Sequence, residues 1–299
     1  MSDPLHGTRV VDLSVWRPGP YATQLLAERG AEVTKIEPPG GDPMRAFPEL
    51  FASLNARKTS RRVDLKSDAG RDEVRALTDD AHVVVEGFRP GVVDRLGVGY
   101  AAVRERNPGV VYCSISGFGQ TGPLADAPGH DLTYLAWAGA LSPDGAPPVL
   151  PRIPVADLAA GMAAALSICA ALSGGEGAYL DVAIADVLAS WTGPADARLQ
   201  GMSVATRAVP GYGTFPTADG GYVALGVLDE DHFWSALCGA LGLDEHAGLT
   251  FGERAARTDE LQQHVGAALA GRPRTELVDD LLAAGVPVAP VLDRAGMQA

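Results

Sequence analysis

Cationic residues are in deficit in this chain: 24 Lys and Arg stand against 37 Asp and Glu, a formal net charge of −13. A general nucleic-acid binder needs a basic surface to meet phosphates, so that class is excluded, and an anionic ligand requires a locally gathered set of cations. Cysteine is nearly as sparse. Cys113, Cys169 and Cys238 lie far apart in apolar contexts, which reads as small buried hydrophobes and excludes a disulfide framework or a zinc cluster. That usage fits a reducing, cytoplasmic setting. No stretch reaches the roughly 20 apolar residues of a membrane span, and the N-terminus lacks a basic-then-apolar leader. The expectation is a soluble protein with neither membrane nor nucleic acid among its partners, and no internal repeat is visible.

A chain of 299 residues buries a large core and by default divides in two. The β-branched run Arg9 to Val15, a helical spacing of Tyr21, Leu25 and Leu26 stopped by Gly30, and the run Ala31 to Glu37 make a strand–helix–strand unit. The pattern continues with a strand at Val63 to Leu65, a helix from Asp68 to Thr78, a strand at His82 to Val85, a helix near Tyr100 to Arg106 and a strand at Val110 to Ile115. An α/β domain with a largely parallel sheet follows, its ligand crevice at the strands' C-terminal ends. No G-x-G-x-x-G succeeds the first strand. The turn Arg17-Pro18-Gly19-Pro20 is too rich in proline for a dinucleotide fingerprint, so no bound NAD is expected.

Residues 116–157 read as a Gly- and Pro-rich loop, leading into a strong helix from Asp157 to Leu172 with Asp157 at or beside the N-cap. A strand at Ala178 to Val182 and a helix at Ala185 to Trp191 close a large domain, residues 1–191. Residues 192–210 lack periodicity and are the expected linker to a small α+β domain, 211–299. There Ala218-Asp219-Gly220-Gly221 signals a hairpin turn before a strand at Tyr222 to Val227. Helices near Asp231 to Leu241, Thr258 to Ala270 and Arg274 to Ala284 precede a last strand at Val286 to Val291.

The ionisable chemistry gathers in Gly129-His130-Asp131 and in Asp157, downstream of Ser116-Gly117-Phe118-Gly119-Gln120-Thr121-Gly122-Pro123. Inverting a carbon α to a carbonyl needs a base on one face and an acid on the other, each with a pKa near neutrality, and His130 begins there. Partial burial would raise Asp157, while a helix N-terminus opposes that by stabilising the anion. Read alone, Gly129-His130-Asp131 is also a simple turn, Asp157 also an N-cap, and Asp229-Glu230-Asp231 also a solvated helix start.

Taken in order, several stretches resemble the family III CoA-transferases, and specifically their α-methylacyl-CoA racemase branch. They are Asp12-Leu13 with Pro18-Gly19-Pro20, Gly30-Ala31-Glu32-Val33 through Ile36-Glu37-Pro38-Pro39-Gly40, Asp64-Leu65-Lys66, and Phe88-Arg89-Pro90-Gly91 through Arg95-Leu96-Gly97. Further along come the 116–123 run, Gly129-His130-Asp131, Ala156-Asp157, Thr217-Ala218-Asp219-Gly220 and Gly285 to Val291. The resemblance implies a Rossmann-like large domain with a mainly parallel sheet plus a smaller α+β domain. It also implies an acyl-CoA thioester substrate, no permanently bound cofactor beyond the coenzyme A of that substrate, no metal, and an interlocked homodimer.

On that resemblance His130 and Asp157 are the two bases of an acyl-CoA racemase working through an enolate, with Asp229 or Glu230 as the carboxylate paired to His130. First-turn N–H groups of the helix would stabilise the enolate, worth roughly 2.7 to 4 kcal/mol by analogy with oxyanion holes. Lys35, Lys58, Arg89 and Arg95 match the segments that meet CoA phosphates and adenine, and Gly117 and Gly119 allow close backbone approach to the ligand. The alternatives are CoA transfer through a covalent Asp157 thioester and a non-catalytic CoA-thioester binder. Gly-His-Asp is what favours the racemase. Two departures bear on the substrate: Asn55-Ala56-Arg57-Lys58 stands where racemases show Asn-Arg-Gly-Lys, and Ile153 where they tend to have Asn. The resemblance also implies that a C-terminal segment returning to the first domain is absent from a chain ending at Ala299.

Overall fold

The computed structural model describes residues 3–141, 150–192, 198–199, 202–203 and 209–292. Two units are distinguished, Met1–Ala195 and Asp196–Ala299.

In the first unit, β1 (Arg9–Asp12), α1 (Pro18–Ala27) and β2 (Glu32–Glu37) are followed by α2 (Pro48–Asn55), β3 (Thr59–Arg62), α3 (Asp68–Asp79) and β4 (Val83–Glu86). Then come α4 (Val92–Arg95), α5 (Tyr100–Arg106), β5 (Val111–Ser116), α6 (Asp131–Trp137), α7 (Val155–Gly174), β6 (Ala178–Ala183) and α8 (Ile184–Thr192). The six strands form one sheet in the order β3-β2-β1-β4-β5-β6, every pair parallel. The Rossmann-like α/β architecture follows, because parallel strands need crossover helices and those helices cover both faces. Strand side chains alternate accordingly. Val10, Val33, Val83, Val85 and Cys113 pack into a core with α1 and α7. Val11, Leu13, Ile36, Val84 and Tyr112 pack into another with Val74 of α3 and Val103 of α5.

α7 is the spine of the first core. Twenty residues long, it is apolar enough by length and composition to cross a membrane, though Asp157 and Ser167 interrupt its apolar run. Its small residues Ala156, Ala160 and Ala164 are buried against the unit's own elements. A Cβ on Gly161 would lie 2.7 Å from the Pro18 carbonyl oxygen and 2.8 Å from the Tyr21 ring. Glycine there lets α1 and α7 cross closely. Burial of each Val or Leu along these faces contributes roughly 1.5–3 kcal/mol.

Three boundaries differ from the expected ones. The strand anticipated at Val63 to Leu65 lies wholly before that span, at β3, whose four residues are all exposed. It is an edge strand held by hydrogen bonds to β2, and polar edges defeat an apolar-run criterion. The expected loop 116–157 contains α6, only seven residues long. Asp157 is not the N-cap of α7: Pro154 is, and Asp157 sits three residues in.

In the second unit, the described parts of the expected linker hold β7 (Arg198–Leu199) and β8 (Met202–Ser203), paired antiparallel; residues 193–197, 200–201 and 204–208 lie outside the described residues. β9 (Tyr212–Pro216) and β10 (Tyr222–Gly226) form the hairpin, followed by α9 (Asp231–Leu241), α10 (Phe251–Ala256), α11 (Thr258–Ala270), α12 (Arg274–Ala283) and β11 (Val288–Pro290). The sheet runs β11-β10-β9, wholly antiparallel. Phe215, Val223 and Leu225 pack against Trp234, Leu237, Leu261, Val265, Leu277 and Leu281 of the helices. Arg254 is fully buried, paired with Asp231 at 2.8 Å and lying over Trp234 and Phe251.

Candidate active site

The strand order reverses between β1 and β4, and in such sheets the ligand crevice opens outside the strands' carboxyl ends at that point. Here a cavity of about 540 Å³ is walled by the segment after β1 (Ser14, Trp16, Pro18), the segment after β4 (Gly87 to Pro90), Ser116 and Gly117 at the end of β5, and His130, Tyr134 and Asp157. A second cavity of about 600 Å³ lies over β1 and β2, lined by Pro38, Pro39, Pro43, Leu65, Lys66 and Leu96. Val15 and Phe88 line both. The cavities therefore adjoin across those two side chains.

The segment after β1 is fixed from beneath by a buried ionic network. Asp12 accepts from Ser14 N at 3.0 Å and from the Ser14 hydroxyl through one oxygen, and from Thr23 Oγ1 at 2.6 Å and Lys58 Nζ at 3.2 Å through the other. Lys58 also donates to the Pro20 carbonyl at 2.8 Å, tying the start of α1 to it. Lys35 donates to the Ser14 carbonyl at 2.7 Å and pairs with Asp42 at 2.9 Å. Burial alone would raise Asp12, but the Lys58 and Lys35 charges and the two hydroxyl donors hold it at about 2. Burial pulls Lys58 down to about 8, against the Asp12 charge. Above this network Trp16 is held at φ 62, a left-handed conformation that a bulky side chain adopts only where its surroundings impose it.

Lys35 and Lys58, expected to bind CoA phosphates, are thereby corrected: both side chains are fully buried, and their ammonium groups compensate internal carboxylates. Arg89 does line the first cavity. Arg95 is exposed on α4 and lines neither cavity, whereas Lys66, not selected from sequence, lines the second. Gly117 lines the first cavity, but the space its missing side chain leaves is filled by the Tyr134 ring, 2.5 Å from where a Cβ would sit, and Gly129 abuts the same ring at 2.4 Å. Gly119 lies outside the cavity with φ 83, next to Gln120, whose N–H donates to Asp181 at 2.9 Å. Ligand approach is thus not what requires these glycines.

His130 and Asp157 line the same cavity. His130 is the N-cap of α6: its N–H donates to Thr133 Oγ1 at 2.9 Å, and that hydroxyl donates back to the His130 carbonyl at 2.8 Å. The imidazole is exposed and makes no hydrogen bond among the described residues. Asp131 reaches across to α7 and accepts from Asp157 N at 3.0 Å. That donor, one of the first-turn N–H groups expected to serve an enolate, is occupied. Burial is the main cause that raises Asp157 to about 6, the Asp131 charge adds to it, and Arg17 and His130 oppose. The Ser116 hydroxyl is buried on the cavity wall without a hydrogen-bond partner among the described residues. Asp229 and Glu230 lie in the second unit, before α9, where the Asp229 carbonyl accepts from Arg254 and Glu230 Oε2 from Leu228 N at 3.3 Å.

Sequence reasoning gave no role to Trp16 or to the Ser116 hydroxyl, although their place after the first and fifth strands is the signal that marks them. Among the described residues no group of three or more His, Cys, Asp or Glu is arranged to hold a metal.

The switch point of this Rossmann-like sheet thus carries a half-buried carboxylate, Asp157, whose proton is held more tightly than usual, on the wall of a cavity that adjoins a second one. Residues 5–299 match CoA-transferase family III, and the chain belongs to that family. It is 34% identical to acetyl-CoA:oxalate CoA-transferase of Acetobacter aceti, over 97% of this chain and 81% of that protein. It is 33% identical to succinate–glutarate CoA-transferase of Agrobacterium fabrum, over 96% of this chain and 80% of that protein. Among solved structures, Rv3272 of M. tuberculosis superposes with a TM-score of 0.84 at 31% identity, covering 98% of this chain and 84% of that one. A CAIB/BAIF family protein of Brucella suis gives 0.83 at 29%, covering 99% and 85%.

Proposed function

We propose that this protein transfers coenzyme A between carboxylic acids, with Asp157 as the residue that carries it. The observation behind the reading is the Asp157 carboxylate, raised to about 6 on the wall of the switch-point cavity: ionised at neutral pH, yet more basic than an ordinary carboxylate. The family and its named relatives, which include a succinyl-CoA:mesaconate CoA-transferase of Haloarcula hispanica at 34% identity, support transfer over racemisation.

In this reading the adenosine end of CoA occupies the second cavity beside Lys66, and the pantetheine arm passes Val15 and Phe88 toward Asp157. Asp157 attacks the thioester carbonyl, and CoA leaves as the thiolate from a mixed anhydride. The thiolate then attacks the Asp157 carbonyl, releasing the first acid as its carboxylate and leaving CoA on Asp157 as a thioester. The acceptor carboxylate reverses the sequence, regenerating Asp157. Each tetrahedral intermediate carries an oxyanion, and the unpaired Ser116 hydroxyl on the same wall is suited to donate to it. A cytoplasmic homodimer with no cofactor beyond substrate CoA completes the proposal.

One observation favours racemisation as a second reading: His130 opens onto the same cavity as Asp157 with an imidazole unpaired among the described residues. Two incubations separate the readings. With an acyl-CoA donor and a different free acid, CoA transfer predicts a new thioester that Asp157→Asn abolishes. With a 2-methylacyl-CoA in deuterated water, racemisation predicts α-deuterium uptake that His130→Ala abolishes, without any new thioester.

A further inference from the structure

Val15 and Phe88 stand where the two cavities adjoin. The segment carrying Val15 rests on the Asp12, Lys58 and Lys35 network, and the segment carrying Phe88 rests on a different device. β4 is a run of three buried valines that ends on a buried glutamate, Glu86. By alternation Glu86 shares the face of Val84, the side of the sheet covered by α3 and α5. Glu86 lines neither cavity, yet its Oε2 accepts from Phe88 N at 2.7 Å. The residues that follow, Gly87 to Pro90, all line the Asp157 cavity, and Phe88 lines the second as well.

Unlike Asp12, Glu86 has no cation at ion-pair distance among the described residues. The charged groups that face it are both acidic, Asp94 of α4 and Asp181 of β6. Its other neighbours are Ser114, its register partner on β5, and the phenols Tyr112 and Tyr179. Burial raises Glu86 to about 7; the Ser114 hydroxyl and the Phe88 N–H oppose the rise, and the Asp94 and Asp181 charges add to it. An unpaired carboxylate in such surroundings is destabilising, and a fourth valine would continue the strand without that penalty. What the glutamate adds is an acceptor for the Phe88 N–H at the place where the sheet ends.

We infer that Glu86 is a positioning residue for coenzyme A: by holding the Phe88 N–H it fixes the ring that stands where the cavities adjoin, and with it the path of the pantetheine arm. The inference deepens the proposed placement of CoA across both cavities and rests on it. A carboxylate accepts a hydrogen bond more strongly than a carboxylic acid or an amide does. The hold on Phe88 therefore tightens as Glu86 loses its proton, and affinity for the arm rises as pH passes through about 7.

The test uses Asp157→Asn protein, in which neither a covalent step nor the titration of Asp157 intervenes. Calorimetry at pH 6 and pH 8 measures acetyl-CoA and adenosine 3′,5′-bisphosphate, which is the adenosine end without the arm. Adding Glu86→Gln keeps an acceptor oxygen but removes the charge. It should weaken acetyl-CoA about 3- to 30-fold at pH 8 and little at pH 6, and leave the bisphosphate nearly unchanged at both. Comparing the two proteins at each pH cancels the ligands' own ionisation. With Phe88→Ala the ring is gone, so adding Glu86→Gln should weaken acetyl-CoA no further. Even with Glu86 intact, Phe88→Ala should shrink the gain in affinity between pH 6 and pH 8 by the same factor. Equal losses for both ligands, a loss independent of pH, or losses that add in the double variant overturn the proposal. Acetyl-CoA that binds and is unaffected by Glu86→Gln overturns it alone; acetyl-CoA that does not bind the Asp157→Asn parent overturns the placement of CoA with it. The transferase reading is decided separately, by whether wild-type protein makes a new thioester.

Discussion

Replacing Asp157 by Asn should make the protein more stable while abolishing its activity. The folded-state pKa of Asp157 is about 6, above the ordinary value of 3.8, chiefly because burial penalises the anion and Asp131 repels it. The native state then binds the proton more tightly than the unfolded chain, so stability falls as pH rises from about 4 to about 6 and stays reduced above that. A difference of about 2 pKa units at 1.36 kcal/mol each sets a ceiling near 3 kcal/mol. Solvent at the cavity mouth screens the charge, so about 1–3 kcal/mol is expected. An amide of the same shape carries no such penalty, and the backbone N–H donated to Asp131 is unchanged. Urea unfolding of both proteins at pH 5 and pH 8 reads the effect. The variant should be more stable by about 1–3 kcal/mol at pH 8 and by roughly half as much at pH 5. A variant less stable at pH 8, or an advantage equal at both pH values, would refute the reasoning.

Two further substitutions probe the frame around the site. Lys58→Met removes the cation paired with the buried Asp12, leaving it to the Lys35 charge and two hydroxyl donors, and should cost up to about 3–5 kcal/mol by denaturant titration, most of it recovered in the double variant Asp12→Asn/Lys58→Met; equal losses in both would show that the pair is not the cause. Gly117→Ala puts a methyl 2.5 Å from the Tyr134 ring and should cost about 1–3 kcal/mol in thermal unfolding, relieved by adding Tyr134→Leu. An unrelieved loss would place the clash elsewhere.

The parallel sheet was legible because its central strands are continuous apolar runs between helical spacings: Val83 to Val85 has no other plausible place than a strand covered on both faces. β3 was not, because an edge strand with four exposed polar side chains carries no hydrophobic pattern. α6 is short, and its Leu132 and Trp137 are exposed, so no buried stripe announces it. At the site, His130 and Asp157 stood out through their ionisable chemistry and local motifs, and both reach one cavity. The cations were harder. A lysine's sequence context does not reveal whether its ammonium faces a ligand or an internal carboxylate, and Lys35 and Lys58 face the latter. The Ser116 hydroxyl gains its meaning only when β5 ends at the switch point beside Asp157, a juxtaposition that no local spacing encodes.

The central claim is that Asp157 carries CoA covalently. Incubation with an acyl-CoA, quenching with hydroxylamine and mass spectrometry of the peptide spanning residues 155–174 tests it most directly. The account predicts a hydroxamate on Asp157 alone, formed only when acyl-CoA is present and absent from Asp157→Asn. An unmodified Asp157 in protein that still produces the new thioester would contradict it.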